Sequence, residues 1–236
     1  MSTVLITGAN RGLGLEFVRQ YARRGWDVLA CCRVVSGELQ ALADKYRSVQ
    51  LHTLDVADHA AIDTLATGLE GTAIDLLLNN AGFLGRVPFT GGGAEHQAFG
   101  NSDFEDWAQV LRVNVFGPMK MAEAFVGHVA ASDQKKIVTL SSMLGSHGLN
   151  TDGGLYAYRT SKAAVNMVMH SLGIDLKDRG ILAVAMHPGW VRTDMGGPNA
   201  DIGAEEAVAG IIRVIDKLGE QHLGQLLAYD GSVLPY

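Results

Sequence analysis

The sequence contains almost no cysteine. Cys31 and Cys32 are the only two among 236 residues, and they are adjacent in an apolar run. Neighbouring cysteines of this kind do not supply the disulfide framework of a small secreted domain. We therefore expect buried thiols and a reducing compartment.

Long apolar runs and an excess of positive charge are also missing. No run approaches the roughly eighteen residues of a membrane-spanning helix, and the first residues, MSTVLITGANRGLG, lack the pattern of a signal peptide. The formal net charge of −6 argues against nucleic acid or an anionic membrane as the main partner. These absences predict a soluble, cytoplasmic protein.

Two common catalytic motifs are absent as well. No Gly-x-Ser-x-Gly elbow occurs, which argues against a serine hydrolase. The eight histidines include no His-Glu-x-x-His pair, and His147 and His187 are expected to be loop and strand-end residues rather than ligands. We predict no metal site.

What remains is the composition of a globular chain, with 47% hydrophobic and 19% charged residues. This length predicts a single domain covering residues 1–236. Apolar strands and amphipathic helices alternate along it. Strands are predicted at residues 4–6, 26–32, 49–54, 74–78, 136–140, 181–186 and 224–229. Helices are predicted at residues 15–24, 38–46, 60–69, 103–130, 157–178 and 204–218. The alternation specifies an α/β fold, a doubly wound, seven-stranded parallel sheet with helices on both faces.

A glycine-rich turn joins the first strand to the first helix. It consists of Thr7, Gly8, Ala9, Asn10, Arg11, Gly12, Leu13 and Gly14. Such a unit binds phosphates, because glycines let the backbone approach and the helix N-terminus presents free N–H groups. The Gly-x-x-x-Gly-x-Gly spacing differs from the usual Gly-x-Gly-x-x-Gly, so a purely structural tight turn is the alternative.

The end of the second strand indicates which dinucleotide would bind. Arg33 lies there, without an Asp or Glu beside it. An acid at this point binds ribose hydroxyls, whereas an arginine accommodates a 2′-phosphate. Together with Arg11 in the turn, this predicts NADP(H) rather than NAD(H), unless both arginines are solvated surface charges.

Other unusual residues also follow strands, where ligands bind in such sheets. Asp55 could cap the next helix or accept a hydrogen bond from an adenine amine. Asn114, within the 103–130 segment, could be a surface residue or an inward, functional one. Residues 83–102 are irregular, and could form a flap over a site or a long connection.

Tyr158 and Lys162 lie four residues apart in a predicted helix and therefore share a face. A free phenol titrates near pH ~10, and a fixed cation should lower that pKa toward neutrality. Ser141 and Ser142 end the preceding strand, and one of them could hold a substrate oxygen beside the phenol. This arrangement predicts an acid–base site.

With these residues in hand, the chain resembles the short-chain dehydrogenase/reductase family over nearly its whole length. The matching pieces are the glycine turn, Asp55-Val56, Asn79-Asn80-Ala81-Gly82, Asn114, Ser142, Tyr158-x-x-x-Lys162 and Pro188-Gly189-x-Val191-x-Thr193. The phrases LYAYRTSKAAVNMV, HPGWVRTDMGG and YDGSVLPY are similar to the carbonyl-reductase-like group that includes Sniffer and C-factor. The resemblance implies a Rossmann-type, NADP(H)-dependent oxidoreductase that transfers a hydride between the cofactor and a carbonyl or alcohol substrate.

The resemblance also implies roles for the matched residues. Tyr158 would be the general acid in reduction and the base in oxidation, and Lys162 would lower its pKa and bind the nicotinamide ribose. Ser142 would orient the substrate oxygen, and Asn114 would help hold a water. The cofactor would contact Thr7, Gly8, Asn10, Arg11, Gly12, Leu13, Gly14, Arg33, Asp55, Val56, Asn80, Ala81, Gly82, Tyr158, Lys162, Pro188, Gly189, Val191 and Thr193.

Some alternatives stay open. Sixteen positions separate Ser142 from Tyr158, more than the family commonly shows, so Ser141 or Ser146 could replace Ser142. Tyr156 is a second tyrosine, but Thr160, not a lysine, lies four residues beyond it.

The resemblance to C-factor leaves a second function open, a cofactor-binding signalling or regulatory protein with secondary catalysis. The family resemblance also suggests a homodimer or homotetramer through the 103–130 and 157–178 helices. The substrate walls are expected to come from residues 83–102, 143–155 and 190–204, and from Tyr236.

Overall fold

Eight strands form one sheet in the computed structural model of the protein, which describes residues 1–236 except for the side chain of Phe89. The strands are β1 (Thr3–Thr7), β2 (Asp27–Cys32), β3 (Val49–Thr53), β4 (Leu76–Asn79), β5 (Lys136–Leu140), β6 (Leu182–His187), β7 (Leu226–Ala228) and β8 (Val233–Leu234). Their order is β3-β2-β1-β4-β5-β6-β7-β8. The Rossmann-type doubly wound fold is therefore confirmed.

The predicted number of seven strands was wrong. β1 to β7 are parallel, and β8 pairs antiparallel with β7, with Leu226 opposite Leu234 and Leu227 opposite Val233. A two-residue strand is too short to show hydrophobic alternation, so the sequence pattern does not indicate it. Its pairing depends on the preceding turn, where Ala228 N donates to Ser232 O at 2.8 Å.

Eight α-helices accompany these strands within the described residues. They are α1 (Gly12–Arg23), α2 (Gly37–Lys45), α3 (His59–Gly68), α4 (Gly93–His96), α5 (Phe104–Leu111), α6 (Gly117–Ala130), α7 (Tyr156–Asp175) and α8 (Ala204–Asp216). In the part of the chain that the structure describes, none of these helices combines the length and the hydropathy of a membrane span.

Alternate residues of each central strand pack on opposite faces of the sheet, as a period of two requires. In β1, Val4 and Ile6 belong to the same buried cluster as Phe17 of α1. Leu5, between them, belongs to the cluster that contains Phe125 of α6. Each such large apolar side chain stabilises the fold by roughly 1.5–3 kcal/mol when fully buried. The helices that bury these side chains therefore stabilise the sheet from both faces.

The predicted single helix at 103–130 is broken into three pieces. A π-helical turn, Arg112–Phe116, separates α5 from α6. Pro118 lies in the first turn of α6 and has no N–H to donate to the carbonyl of Asn114 four residues earlier. The regular hydrogen-bond pattern of an α-helix is therefore interrupted before Pro118. The π-helical turn places Asn114 in the interior.

Smaller differences concern the next helix and the irregular segment. α7 begins at Tyr156 and ends at Asp175, and a 3₁₀ turn, Lys177–Arg179, covers most of the remaining predicted length. Residues 83–102 contain α4 and a 3₁₀ turn at Phe89–Gly91. This segment therefore has local structure of its own.

Candidate active site

A cleft of about 880 Å³ lies beyond the carboxyl ends of β1 to β6. The strand order changes direction between β1 and β4, which is where open α/β sheets bind ligands. Most of the predicted site residues line this cleft: Gly8, Asn10, Arg11, Gly12, Leu13, Gly14, Arg33, Asp55, Val56, Asn80, Ala81, Gly82, Tyr158, Lys162, Pro188 and Thr193.

The glycine turn forms one wall of the cleft because it is too tight for side chains. A Cβ atom on Gly14 would lie 2.1 Å from the carbonyl oxygen of Gly8, and one on Gly8 would lie 2.9 Å from Ala81 Cα. Gly12 has φ +53°, in the left-handed region that favours glycine. The Arg11 side chain does not cap α1, so the N–H groups at the start of that helix are available to an anion.

Thr7 and Asn80 fasten this turn to the end of β4. Asn80 Nδ2 donates to the carbonyl oxygens of Thr7 at 2.8 Å and Gly8 at 3.1 Å. The backbone N–H groups of Asn80 and Ala81 donate to Thr7 Oγ1 at 3.1 and 3.0 Å. Thr7 is buried and lies outside the cleft lining, so it shapes the turn from behind.

Arg33 is exposed and lines the cleft, as does Asp55. Asp58, not Asp55, caps α3 by accepting a hydrogen bond from Ala61 N at 3.0 Å. Asp55 Oδ1 instead accepts from Ala57 N at 2.9 Å. Asp55 therefore does not cap α3. Of its two predicted roles, only the hydrogen bond from an adenine amine stays open.

Arg11 makes an ion pair that the sequence does not indicate. Its Nη1 lies 2.8 Å from Asp194 Oδ2, and both side chains are mostly exposed. The pair connects the glycine turn to the loop after β6. Arg11 is therefore shared between the predicted phosphate site and this loop.

Tyr158 and Lys162 both line the cleft, and both are buried. Lys162 Nζ lies 5.5 Å from the centroid of the Tyr158 ring and donates to Leu140 O at 2.9 Å. Burial raises the pKa of Tyr158 to about 12 and lowers the pKa of Lys162 to about 8. Desolvation disfavours both charged forms, so burial acts on the phenol pKa in the direction opposite to the one predicted for Lys162. The role of Lys162 in lowering that pKa stays a prediction.

The three candidate serines differ in their surroundings. Ser142 is 8% exposed, and its Oγ accepts from Leu144 N at 3.1 Å. Ser141 lines the cleft, but its hydroxyl is engaged with Asn166 Oδ1. Ser146 is buried and its Oγ accepts from Leu149 N. Ser142 lies outside the lining residues, so its access to a substrate stays a prediction.

Asn114 faces inward, which excludes the surface interpretation of that residue, while its functional role stays a prediction. Its Oδ1 accepts from Phe83 N, and its Nδ2 donates to Phe83 O, both at 2.8 Å. Nδ2 also donates to Ser161 Oγ at 2.9 Å. Asn114 does not itself line the cleft, and its side chain holds the backbone that leaves β4.

The residues after β6 form a closed loop. Pro188 and Thr193 line the cleft. Gly189 has φ +85°, and a Cβ there would lie 2.8 Å from Ile202 Cδ1. Val191 is buried and pairs with Ile202. Gly189 and Val191 thus shape the loop without lining the cleft.

Six lining residues were not predicted at all: Cys32, Val34, Leu54, Gln109, Val113 and Leu140. Ser141, predicted as an alternative to Ser142, also lines the cleft, and so do Phe83, Asp194 and Met195 from the predicted substrate walls. Met195 Sδ accepts a weak hydrogen bond from the Tyr158 hydroxyl at 4.0 Å. Tyr236, predicted as a wall, instead packs edge-on against His170 and donates to Gly224 O. Met195 lies in a loop, which carries no periodic signal, so only the folded chain shows that it reaches the cleft.

The family model described as short chain dehydrogenase matches residues 2–202. The C-signal protein of Myxococcus xanthus is 39% identical over 171 residues, which cover 72% of this chain and 98% of that protein.

Solved structures give the same result for the fold. The NADPH-bound carbonyl reductase from chicken fatty liver has a TM-score of 0.89 at 33% identity and covers 100% of this chain and 99% of its own. The carbonyl reductase Sniffer of D. melanogaster has a TM-score of 0.89 at 32% identity, with 100% of both chains covered. The predicted resemblance is confirmed.

Proposed function

The chain belongs to the short-chain dehydrogenase family of oxidoreductases, and we propose that it uses NADP(H) to transfer a hydride to or from a carbonyl or alcohol substrate, with Tyr158 as general acid or base. One observation carries this proposal: Tyr158 and Lys162 line the same cleft as the glycine turn. Nucleotide binding and proton transfer can therefore take place in one site.

The residues present fit a nicotinamide dinucleotide. The glycine turn offers a surface that no Cβ atom obstructs, next to an uncapped helix N-terminus. Arg33 after β2 and Arg11 in the turn would pair with the 2′-phosphate, since guanidinium groups bind phosphate well. Lys162 would hold the nicotinamide ribose. The bound cofactor supplies or accepts the hydride, and the protein contributes binding, orientation and proton transfer.

The pKa of Tyr158 leaves its hydroxyl in the protonated form that carbonyl reduction requires. A Tyr158 pKa of about 12 keeps the hydroxyl protonated at neutral pH, so Tyr158 is ready to donate its proton to a developing alkoxide. A Lys162 pKa of about 8 lets this side chain carry or release a proton near neutrality. The Ser142 hydroxyl accepts from Leu144 N, and its own proton would be directed to the substrate oxygen.

Tyr158→Phe tests the proposal. Removing the hydroxyl should lower kcat for NADPH-dependent reduction of an aldehyde and ketone panel by on the order of 10²–10⁴. NADPH affinity, followed by fluorescence titration, should change less than about twofold, because the ring and Lys162 remain. Tyr156→Phe is the matched control, since Tyr156 lies two residues earlier with a half-exposed side chain, and it should keep wild-type turnover. A fully active Tyr158→Phe enzyme would overturn the assignment.

A second candidate function has one observation in its favour. The 39% identity to the C-signal protein supports a signalling or regulatory role in which the cofactor is bound and turnover is secondary. NADPH binding without turnover of any carbonyl in the panel would favour this role. Turnover that depends on Tyr158 would favour the oxidoreductase.

A further inference from the structure

The helix that carries Tyr158 and Lys162 begins without a cap from its own sequence. The residue before α7, Leu155, has φ +47° in the left-handed region, and a leucine side chain has no oxygen to accept a hydrogen bond. The first N–H groups of a helix have no partners within it and need acceptors from elsewhere. Tyr158 is the third residue of α7, and its N–H is one of these groups.

Gln97, from the irregular segment at 83–102, supplies the missing acceptors. Its Oε1 accepts from Tyr158 N at 3.0 Å, and its backbone carbonyl accepts from Tyr156 N at 3.3 Å. Its Nε2 donates to Leu84 O at 2.7 Å. Gln97 is only 4% exposed, so both ends of a buried amide are used, as buried polar groups require.

These contacts close a ring of hydrogen bonds around the backbone of Tyr158. On the N–H side of Tyr158, the Gln97 side chain connects this residue to the carbonyl of Leu84, and Leu84 follows Phe83 in the chain. Asn114 brackets the Phe83 backbone with two bonds of 2.8 Å and donates to Ser161 Oγ at 2.9 Å. Ser161 Oγ completes the ring by donating to Tyr158 O at 2.7 Å.

The position of Gln97 is itself tightly confined. Gly85 has φ +140°, and a Cβ there would lie 3.0 Å from Gln97 Nε2 and 2.9 Å from Asp106 Oδ2. Asp106 is buried and accepts hydrogen bonds from Arg86 N with both carboxylate oxygens. The base of the 83–102 segment is thus tied to α5 and α7, in contrast to a flap that moves freely.

We infer that Gln97 is a positioning residue that fixes Tyr158 through the backbone of α7, and so links the 83–102 segment to the acid–base group. The inference rests on the proposed function. The ring of hydrogen bonds supports this inference, because it holds the first turn of α7 in place. A shift of that turn would move the phenol relative to Lys162 and to a bound substrate. A misplacement of about 1 Å can lower a rate by about 10²-fold.

Two substitutions of Gln97 test this role. Gln97→Met keeps the length of the side chain and removes both hydrogen-bonding ends, so kcat should fall by about tenfold or more while NADPH affinity changes less than about twofold. Gln97→Glu keeps an acceptor for Tyr158 N but, when ionised, repels Leu84 O. A protonated carboxyl can donate to that carbonyl, so the ratio of variant to wild-type kcat should rise as the pH is lowered from about 8 to about 6.

Gln134→Met is the matched control. Gln134 also joins two segments, since its Nε2 donates to Ser2 Oγ at 3.2 Å and its Oε1 accepts from Lys136 Nζ at 3.1 Å. These contacts lie outside the cleft. The control should keep wild-type kcat.

Amide hydrogen exchange at the start of α7 gives a readout that does not depend on turnover. Exchange at Tyr156 and Tyr158 should accelerate in Gln97→Met and stay unchanged in Gln134→Met. Unchanged exchange in Gln97→Met would overturn the inference, as would faster exchange with wild-type kcat. A wild-type protein that shows no turnover would overturn the proposed function, whereas its exchange pattern would still report whether Gln97 holds α7.

Discussion

At the scale of single residues, burial dominates the chemistry of the site. Tyr158 and Lys162 are 8% and 5% exposed, and desolvation moves their pKa values in opposite directions. An i, i+4 spacing brings the two side chains to one helix face, where the ammonium lies over the Tyr158 ring. The distance of 5.5 Å to the ring centroid reflects a second contact, to Leu140 O.

Lys162→Met should raise the stability of the protein at pH 7 and abolish turnover. It replaces a buried ammonium with an apolar side chain of similar length, and the gain at pH 7 should be on the order of 1–3 kcal/mol. Between pH 8 and 10.5 the native wild type binds fewer protons than its unfolded state, because burial lowers the Lys162 pKa from 10.5 to about 8. Wild-type stability therefore rises relative to the variant through that window.

Thermal unfolding of both proteins from pH 7 to pH 10 measures this effect. The advantage of Lys162→Met should shrink as the pH rises. A difference in stability that does not change with pH would show that Lys162 keeps its ordinary pKa in the folded protein.

Arg33→Asp should weaken NADPH binding by roughly tenfold to a hundredfold and change NADH binding much less. The variant replaces a partner of the 2′-phosphate with a repelling charge, and hydrogen bonds to charged groups contribute about 1.5–3 kcal/mol. Fluorescence titration with each cofactor measures the two affinities. Arg47→Asp makes the same change of charge at an exposed residue outside the cleft lining and should alter neither affinity. Equal losses for both cofactors would show that Arg33 does not face the 2′-phosphate.

At the scale of elements, two loops meet across the cleft. The glycine turn before α1 and the loop after β6 are joined by the Arg11–Asp194 ion pair. Within the second loop, Trp190 Nε1 donates to Gly196 O and Arg192 Nη1 donates to Ala200 O, both at 2.8 Å. The loop thus holds its own shape, and the ion pair sets its contact with the turn.

Asp194→Asn should tighten NADPH binding by about twofold to tenfold. It removes a negative charge from the cleft lining and releases Arg11 for a phosphate. Stability should change by less than about 1 kcal/mol, because an exposed ion pair contributes little, and the gain in affinity should diminish at high salt. NADPH titrations at low and high salt measure this effect, with Asp178→Asn at an exposed surface position as the control. Weaker NADPH binding in Asp194→Asn would contradict the prediction.

At the scale of the whole molecule, exposed apolar side chains lie on the segment that contains α5, α6 and α7. Phe104, Phe116, Met167 and Ile174 are between 49% and 74% exposed. Met167 and Ile174 are seven residues apart on α7 and therefore share a face. These helices are the ones through which a homodimer or homotetramer is predicted.

Light scattering should give a mass of two or four times 25.1 kDa. The double variant Met167→Lys, Ile174→Lys should be a monomer, because two charges cannot be buried in such an interface without partners. Val233→Lys, at an exposed residue of β8, is the control and should keep the wild-type mass. A wild-type monomer would contradict the prediction.

The sequence determined the order of strands and helices, the parallel sheet and the cluster of residues at its carboxyl edge. These features depend on local patterns, because apolar strands buried on both faces, glycine turns and residues four apart on a helix are visible in neighbouring residues. The short-chain dehydrogenase resemblance rests on the same motifs, and the family match confirms it.

Only the tertiary structure decided features that join distant segments. The eighth strand depends on a turn that brings Leu234 beside Leu226, and the pKa of Tyr158 depends on what buries it. Gln97 lies 61 positions from Tyr158 in the sequence, in a segment without periodicity. Hydrogen bonds across such separations leave no local pattern, because their partners become neighbours only when the whole chain packs.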